Sequence, residues 1–191
     1  MSSAHHYKTV SASQIILKEL MVPSYANFGG KVHGGVILSL MDKIAYTCAA
    51  SHAKSYCVTA SVDSVDFMNP VEVGELLTLF ASVNYVGHSS MEVGIKVISE
   101  DFKQDIVKHT NTSYFTMVAV DEETRQPTAV PGLILETEQQ IQRFVMGKLR
   151  RQLKRQHHRE INQLRQELNQ ERLLAEVAGE RCQLLVEPQA D

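Results

Sequence analysis

The stretch Ser24-Tyr25-Ala26-Asn27-Phe28-Gly29-Gly30-Lys31-Val32-His33-Gly34-Gly35-Val36-Ile37-Leu38-Ser39-Leu40-Met41-Asp42 decides how this chain folds. Its second half opens a helix. Val36, Ile37, Leu40, Met41, Ile44 and Ala45 recur at three- and four-residue spacing, and neither Gly nor Pro interrupts the run that follows Gly35. The spacing predicts a helix from about His33 to His52. A helix so apolar is expected to be buried nearly all round. The first half, with Gly29 and Gly30, reads as a loop entered past Pro23.

Outward from this stretch the pattern changes to strands. Gln14 to Met21 reads as a strand stopped by Pro23. After the helix come four more: Tyr56 to Met68, Glu75 to Val86, Ser89 to Glu100 and Asp105 to Val120. Met91, Val93, Ile95 and Val97 alternate with Glu92, Gly94 and Lys96, the period-two signature of a half-buried strand. The short Gly87-His88 link predicts an antiparallel hairpin. One strand, a long apolar helix and four closely connected strands imply an α+β domain in which a curved antiparallel sheet wraps a central helix.

Composition shifts near Pro131-Gly132, from Val, Ser, Thr and Gly to Gln, Glu, Arg and Leu. Residues 8–132 are therefore expected to form the domain, and residues 133–191 a helical extension. From Gln139 to Arg159 the extension has basic residues and no acidic one, and Leu149, Leu153, Ile161, Leu164 and Leu168 follow one another at helical spacing. The formal net charge of −3 gives no electrostatic case for nucleic acid or an anionic membrane. No apolar run approaches the ~20 residues needed to span a bilayer, and the first residues lack the layout of a secretory signal. Three cysteines without patterned spacing suit a reducing compartment and suggest neither a disulfide framework nor a metal site.

The opening stretch also carries the candidate chemistry. The first N–H groups of a helix have no intrahelical acceptor, and Gly34-Gly35 let another group approach them closely. With the positive end of the helix dipole, they can hold an anion or a polarised carbonyl oxygen. Asn27 offers an uncharged hydrogen-bonding group, and Asp42 a carboxylate among apolar neighbours. Each has an ordinary structural use as well: close packing for the glycines, a turn for Asn27, a bond to neighbouring Lys43 for Asp42. Gly34 and Asp42 lie eight positions apart, ~12 Å along a helix. They cannot both touch one small reacting group, so joint action requires two copies of the chain. His33 is either a third catalytic group or the residue that positions the helix start.

Five motifs in order and spacing give a resemblance: Ala26-Asn27, His33-Gly34-Gly35, Leu40-Met41-Asp42, Val58-Thr59-Ala60-Ser61-Val62-Asp63, and Gly87-His88-Ser89-Ser90-Met91-Glu92-Val93-Gly94. Over about residues 10–125 the chain resembles the hotdog acyl-CoA hydrolases of the bacterial and brain-type cytosolic group. The resemblance implies a cytoplasmic thioesterase that cleaves fatty acyl-CoA. Asn27 and Asp42 from opposing chains would be catalytic, with His33, Gly34 and Gly35 at the oxyanion. Coenzyme A would contact Ala60, Ser61, Val62, Ser89, Ser90 and Met91, with Arg151 on its phosphates. It further implies a homodimer as the catalytic unit and a trimer of dimers, with no metal and no cofactor beyond the coenzyme A of substrate and product. Two other functions fit the same residues: a hydratase or dehydratase using His33 and Asp42, and a non-catalytic module binding acyl-CoA or a nucleotide.

Overall fold

The computed structural model describes residues 6–185. Strand β1 (Tyr7–Thr9) leads through a 3₁₀ turn (Ser11–Ser13) to β2 (Ile15–Leu20). The central helix α1 (Gly34–Ala53) is followed by β3 (Tyr56–Val62), β4 (Leu76–Val86), β5 (Ser90–Asp101) and β6 (Ile106–Val120). The chain then adds β7 (Gly132–Ile134), α2 (Glu138–Glu167) and α3 (Gln170–Val177). The main sheet is antiparallel in the order β2-β4-β5-β6-β3, and α1 lies against all five of its strands. This is the expected hotdog arrangement.

Helix α1 forms because its apolar stripe has a sheet to bury it. Ile37, Leu40, Met41, Ile44, Ala45, Cys48 and Ala49 join Leu77, Leu79, Val83, Val93, Ile95, Val97, Phe115 and Met117 in one core. Burying a side chain such as Ile44 or Leu40 is worth about 1.5–3 kcal/mol. The helix ends at Lys54, whose left-handed backbone (φ 57°) lets its N–H close on the Ala50 carbonyl. Burial pushes the Cys48 thiol up to about 12 and the Cys57 thiol up to about 11.

Two expectations need correction. The helix is not buried all round: Leu38, Ser39, Asp42, Lys43, Tyr46 and Thr47 form an exposed face, because the sheet curls around one side only. Nor does the strand after α1 reach Met68. Its ladder stops at Val62, and the chain then follows β6 through separate bonds, from Asp63 N–H to the Tyr114 carbonyl (2.9 Å) and from Met68 N–H to the Thr110 carbonyl (3.0 Å).

A small parallel ladder of β1 with β7, too short to show in the sequence, ties the start of the domain to the end of its sheet region. Beside it His52 is fully buried. Its Nε2 donates to the Pro131 carbonyl (3.0 Å), its Nδ1 lies 3.3 Å from the Ser13 hydroxyl, and Lys8 Nζ donates to its own carbonyl (2.5 Å). Burial lowers the His52 pKa and outweighs the bond to Pro131; Lys8 and His6 lower it further. One compact unit runs to Lys148 and a second begins at Leu149 within α2. In the first, Phe144 of α2 meets Tyr85 at 5.1 Å between ring centroids, and Gly147 allows close approach to Tyr85 and Glu92. In the second, α3 starts at Asn169, whose side chain accepts from Arg172 N–H (2.9 Å).

Candidate active site

The loop before α1 is built on Asn27. Its N–H donates to the Lys31 carbonyl (2.7 Å), and its own carbonyl accepts from Gly30 (3.0 Å), where φ of +76° suits glycine. Its side-chain Oδ1 accepts from Gly29 N–H (2.9 Å) and Lys31 N–H (3.2 Å). Two backbone donors thus fix which end of the amide is oxygen. The Nδ2 donors point away from them, and the side chain is exposed. An ion pair of Lys31 with Glu72 braces the far side of the loop.

His33 is the N-cap of α1. Its Nδ1 accepts from Gly35 N–H at 2.9 Å. A Cβ on Gly35 would sit 3.0 Å from that nitrogen, and one on Gly34 would sit 3.4 Å from the Phe67 ring. A side chain at Gly35 would crowd the His33 ring, whereas one at Gly34 would make ordinary contact with Phe67. The cap also narrows the set of available donors. Gly35 N–H is occupied by His33, and Val36 N–H by the His33 carbonyl (2.9 Å). Gly34 N–H has no acceptor among the described residues.

Asp42 stands on the exposed face of α1, where its Oδ1 accepts from the Thr59 hydroxyl at 2.6 Å. The bond goes to Thr59 rather than to neighbouring Lys43. Thr59 Oγ1 also lies 3.5 Å from Met117 Sδ. The pairing of β3 with β6 shifts between Thr59 and Ser61, so Ala60 is the extra residue of a bulge that turns Thr59 toward the helix. Thr59 was missed by sequence reasoning; the only sign of it was a polar residue in the Val58–Asp63 motif.

Gly35 and Asp42 are seven residues apart, so they share one helix face within about 20° but lie ~10 Å apart along the axis. No hydrogen bond among the described residues joins the Asn27 loop to Asp42. One chain thus holds a donor half at the helix start and a carboxylate half further along. Between them is an open cleft of about 370 Å³ lined by Tyr25, His33, Gly35, Val36, Ser39, Leu40 and Lys43. Leu38, Tyr46, Tyr56, Val58 and Val62 expose apolar surface on α1 and on edge strand β3, with the Tyr46 and Tyr56 rings 6.0 Å apart.

Ala60, Ser61 and Val62 lie on β3, which has no second neighbouring strand among the described residues. Ser89 and Ser90 lie at the β4–β5 turn, their carbonyls accepting from Ala119 N–H (2.9 Å) and Gly87 N–H (2.7 Å). Met91 is buried in the core, on β5 between β4 and β6. Arg151 lies on α2 in the second unit. No group of three or more His, Cys, Asp or Glu residues suited to a metal ion occurs among the described residues.

A curled antiparallel sheet around one helix, with amide donors at the helix start and a carboxylate on its open face, defines the hotdog class of thioester-processing proteins. The model of the thioesterase superfamily matches residues 29–105. Protein VdlD of Helicobacter pylori is 48% identical over 71% of this chain and 77% of its own length. The human cytosolic acyl coenzyme A thioester hydrolase is 37% identical over 80% of this chain, which spans 41% of the human protein. Among solved structures, an apo-hexameric acyl-CoA thioesterase superposes with a TM-score of 0.77 at 35% identity, over 80% of this chain and 97% of that one. The acyl-CoA hydrolase of Staphylococcus aureus, solved with butyryl coenzyme A and coenzyme A, gives 0.75 at 31% identity over 84% and 98%. That enzyme has also been solved with alanine in place of one threonine, one asparagine and one aspartate. The chain belongs to the thioesterase superfamily, among its acyl-CoA hydrolases.

Proposed function

We infer that this chain hydrolyses acyl-CoA thioesters to a free acid and coenzyme A, at sites shared between two copies. The observation that carries the shared site is the division of the donor and carboxylate halves along one helix. The three S. aureus positions replaced by alanine are spaced by 15 and 17 residues, the same spacing that runs from Asn27 to Asp42 to Thr59. The apolar face of α1 and β3 beside Asp42 supports burial against a second copy. Hexameric relatives support a homo-oligomer, with the dimer as catalytic unit and three dimers in the assembly.

Asn27 Nδ2–H and Gly34 N–H of one chain hold the thioester carbonyl oxygen and stabilise its developing charge. Asp42 of the other chain, positioned by Thr59, takes a proton from water, and the water oxygen bonds to the carbonyl carbon. Collapse of the tetrahedral intermediate breaks the C–S bond. The leaving sulfur takes the proton back from Asp42, giving free acid and thiol. Direct attack by Asp42 would give a mixed anhydride instead. The general base is favoured because no other base stands at this position. No cofactor enters the scheme, since coenzyme A arrives with the substrate and leaves as product. The hydratase alternative needs His33 to move a proton at carbon, but its Nδ1 is committed to the helix cap. No described helix is long and apolar enough to cross a membrane. A cytoplasmic location rests on the resemblance to cytosolic relatives.

The test is complementation. Asn27→Ala and Asp42→Ala chains are each inactive in thiol release, then co-assembled in equal amounts. Half of the dimers are mixed, and each mixed dimer regains one of its two sites, so about a quarter of wild-type activity returns. A co-assembled sample as inactive as its parents would overturn the shared site.

A further inference from the structure

The second unit carries a surface that the catalytic scheme does not use. Along α2 and just past its end, positions 149, 153, 157, 160, 164 and 168 hold Leu149, Leu153, His157, Glu160, Leu164 and Leu168. At ~100° per residue the five within α2 fall within an arc of about 80°, and Leu168 directly follows the last helical residue. The four leucines are 41% to 63% exposed, far more than an apolar seam retains once packed.

The spacing of the seam is 4, 4, 3, 4, 4, which reads the same in both directions. Placed antiparallel on a second copy, about a point between His158 and Arg159, it matches Leu149 to the partner's Leu168 and Leu153 to the partner's Leu164. The same register sets His157 against the partner's Glu160. A patch that is its own complement under a two-fold rotation is what an isologous contact requires.

Charge selects the same orientation. From Leu149 to Arg159 the charged residues are Arg150, Arg151, Lys154, Arg155 and Arg159, all basic. From Glu160 to Leu168, the other half of the seam, they are Glu160, Arg165 and Glu167. A parallel pair would stack the two basic halves on each other. An antiparallel pair keeps the two basic halves apart and sets Arg150 against the partner's Glu167.

We propose that this seam is an interaction surface for a second copy of the same chain, joined as an antiparallel helix pair across a two-fold axis. The test uses the full chain carrying Cys182→Ser, which removes the exposed thiol and leaves two buried ones, with Leu153→Cys and Leu164→Cys added. Positions 153 and 164 are ~16 Å apart on one helix, well beyond the ~7 Å between Cα atoms that a disulfide can bridge. A 153–164 disulfide must therefore join two chains.

After mild oxidation of protein with wild-type circular dichroism, the expected result is a covalent dimer whose dominant linked peptide joins 153 to 164. Dominant 153–153 and 164–164 peptides would mean a parallel pair and overturn the proposal. So would a mixture of linkages without preference, as from collisions, or folded protein that gives no covalent dimer, as for a seam docked elsewhere. If the first variant fails to fold, Leu149→Cys with Leu168→Cys poses the same question, with 149–168 as the expected linkage.

Discussion

The two halves of the site are built by different means. The donor half is mostly local: the bonds that shape Asn27, Gly29, Gly30 and Gly35 reach four residues or fewer, and His33 N–H reaches back eight to the Tyr25 carbonyl. Lys31 with Glu72 and Val32 with Val71 anchor the loop to the rest of the domain. The carboxylate half is tertiary: Asp42 depends on Thr59, 17 residues away on another element and turned toward it by a bulge. The turn and helix cap of the local half are set by its own short sequence, with the Val71-Glu72 segment as an outside anchor. The tertiary half exists only when β3 is docked beside α1. Damage to the first should change how a carbonyl is held, whereas damage to the second should change how water is activated.

The largest expected effect separates the halves most cleanly. Asp42→Ala should lower kcat for thiol release by about 10²–10⁴. Because Asp42 is exposed in the single chain, folding stability should change by no more than about 0.5 kcal/mol. Thiol release and urea melts of the same sample check both. Asn27→Ala should lower kcat by about 10²–10³ and also loosen the loop, since two N–H groups lose their acceptor. Asn27→Asp sharpens the point: it keeps the accepting oxygen but removes the outward donor, so the loop should hold while activity is still lost. If that variant turned over like wild type, Asn27 would be structural only.

Thr59→Val should lower kcat by roughly tenfold with Thr59→Ser recovering most of it, the difference expected of one positioning hydroxyl bond to a carboxylate. His33→Ala should cost about 1 kcal/mol through loss of the helix cap, with only a few-fold change in kcat, measured by thermal melts and steady-state rates. His52, outside both halves, serves as a control. Its folded-state pKa lies below its unfolded one, so the unfolded state binds the proton first. Its stabilising contribution is present above about pH 6.5 and is lost as pH falls below that value. Melting temperature should therefore fall on acidification through this range, and less steeply in His52→Asn.

The succession of strands and the central helix were legible because apolar spacing records what a sheet and a helix must bury. Leu77 to Val83 and Met91 to Val97 alternate inward and outward, and Ile37 to Ala49 return every three or four positions. What composition could not separate was the open face of α1. Leu38 and Tyr46 are apolar yet exposed, so Asp42 looked buried when it is not. The end of β3 lies earlier than its composition suggests because residues past Val62 keep bonds to β6, at Asp63 and Met68, without a regular ladder. Asn27 and Asp42 could be singled out by residue type and resemblance. Thr59 could not, since its role comes from a bulge and a distant bond. Gly35 reads as a free donor in the sequence, whereas in the structure its N–H is occupied by His33.

The exposure of Asp42 separates two equilibria. In an isolated chain the carboxylate remains hydrated, so folding alone carries no penalty for it. If a second copy covers that face, the dehydration of Asp42 falls on association instead. Specific activity should then depend on enzyme concentration, dropping on dilution while the circular dichroism of each chain stays unchanged. Turnover per chain becomes a gauge of assembly, and removing the charge by Asp42→Ala should abolish catalysis while leaving association as strong or stronger.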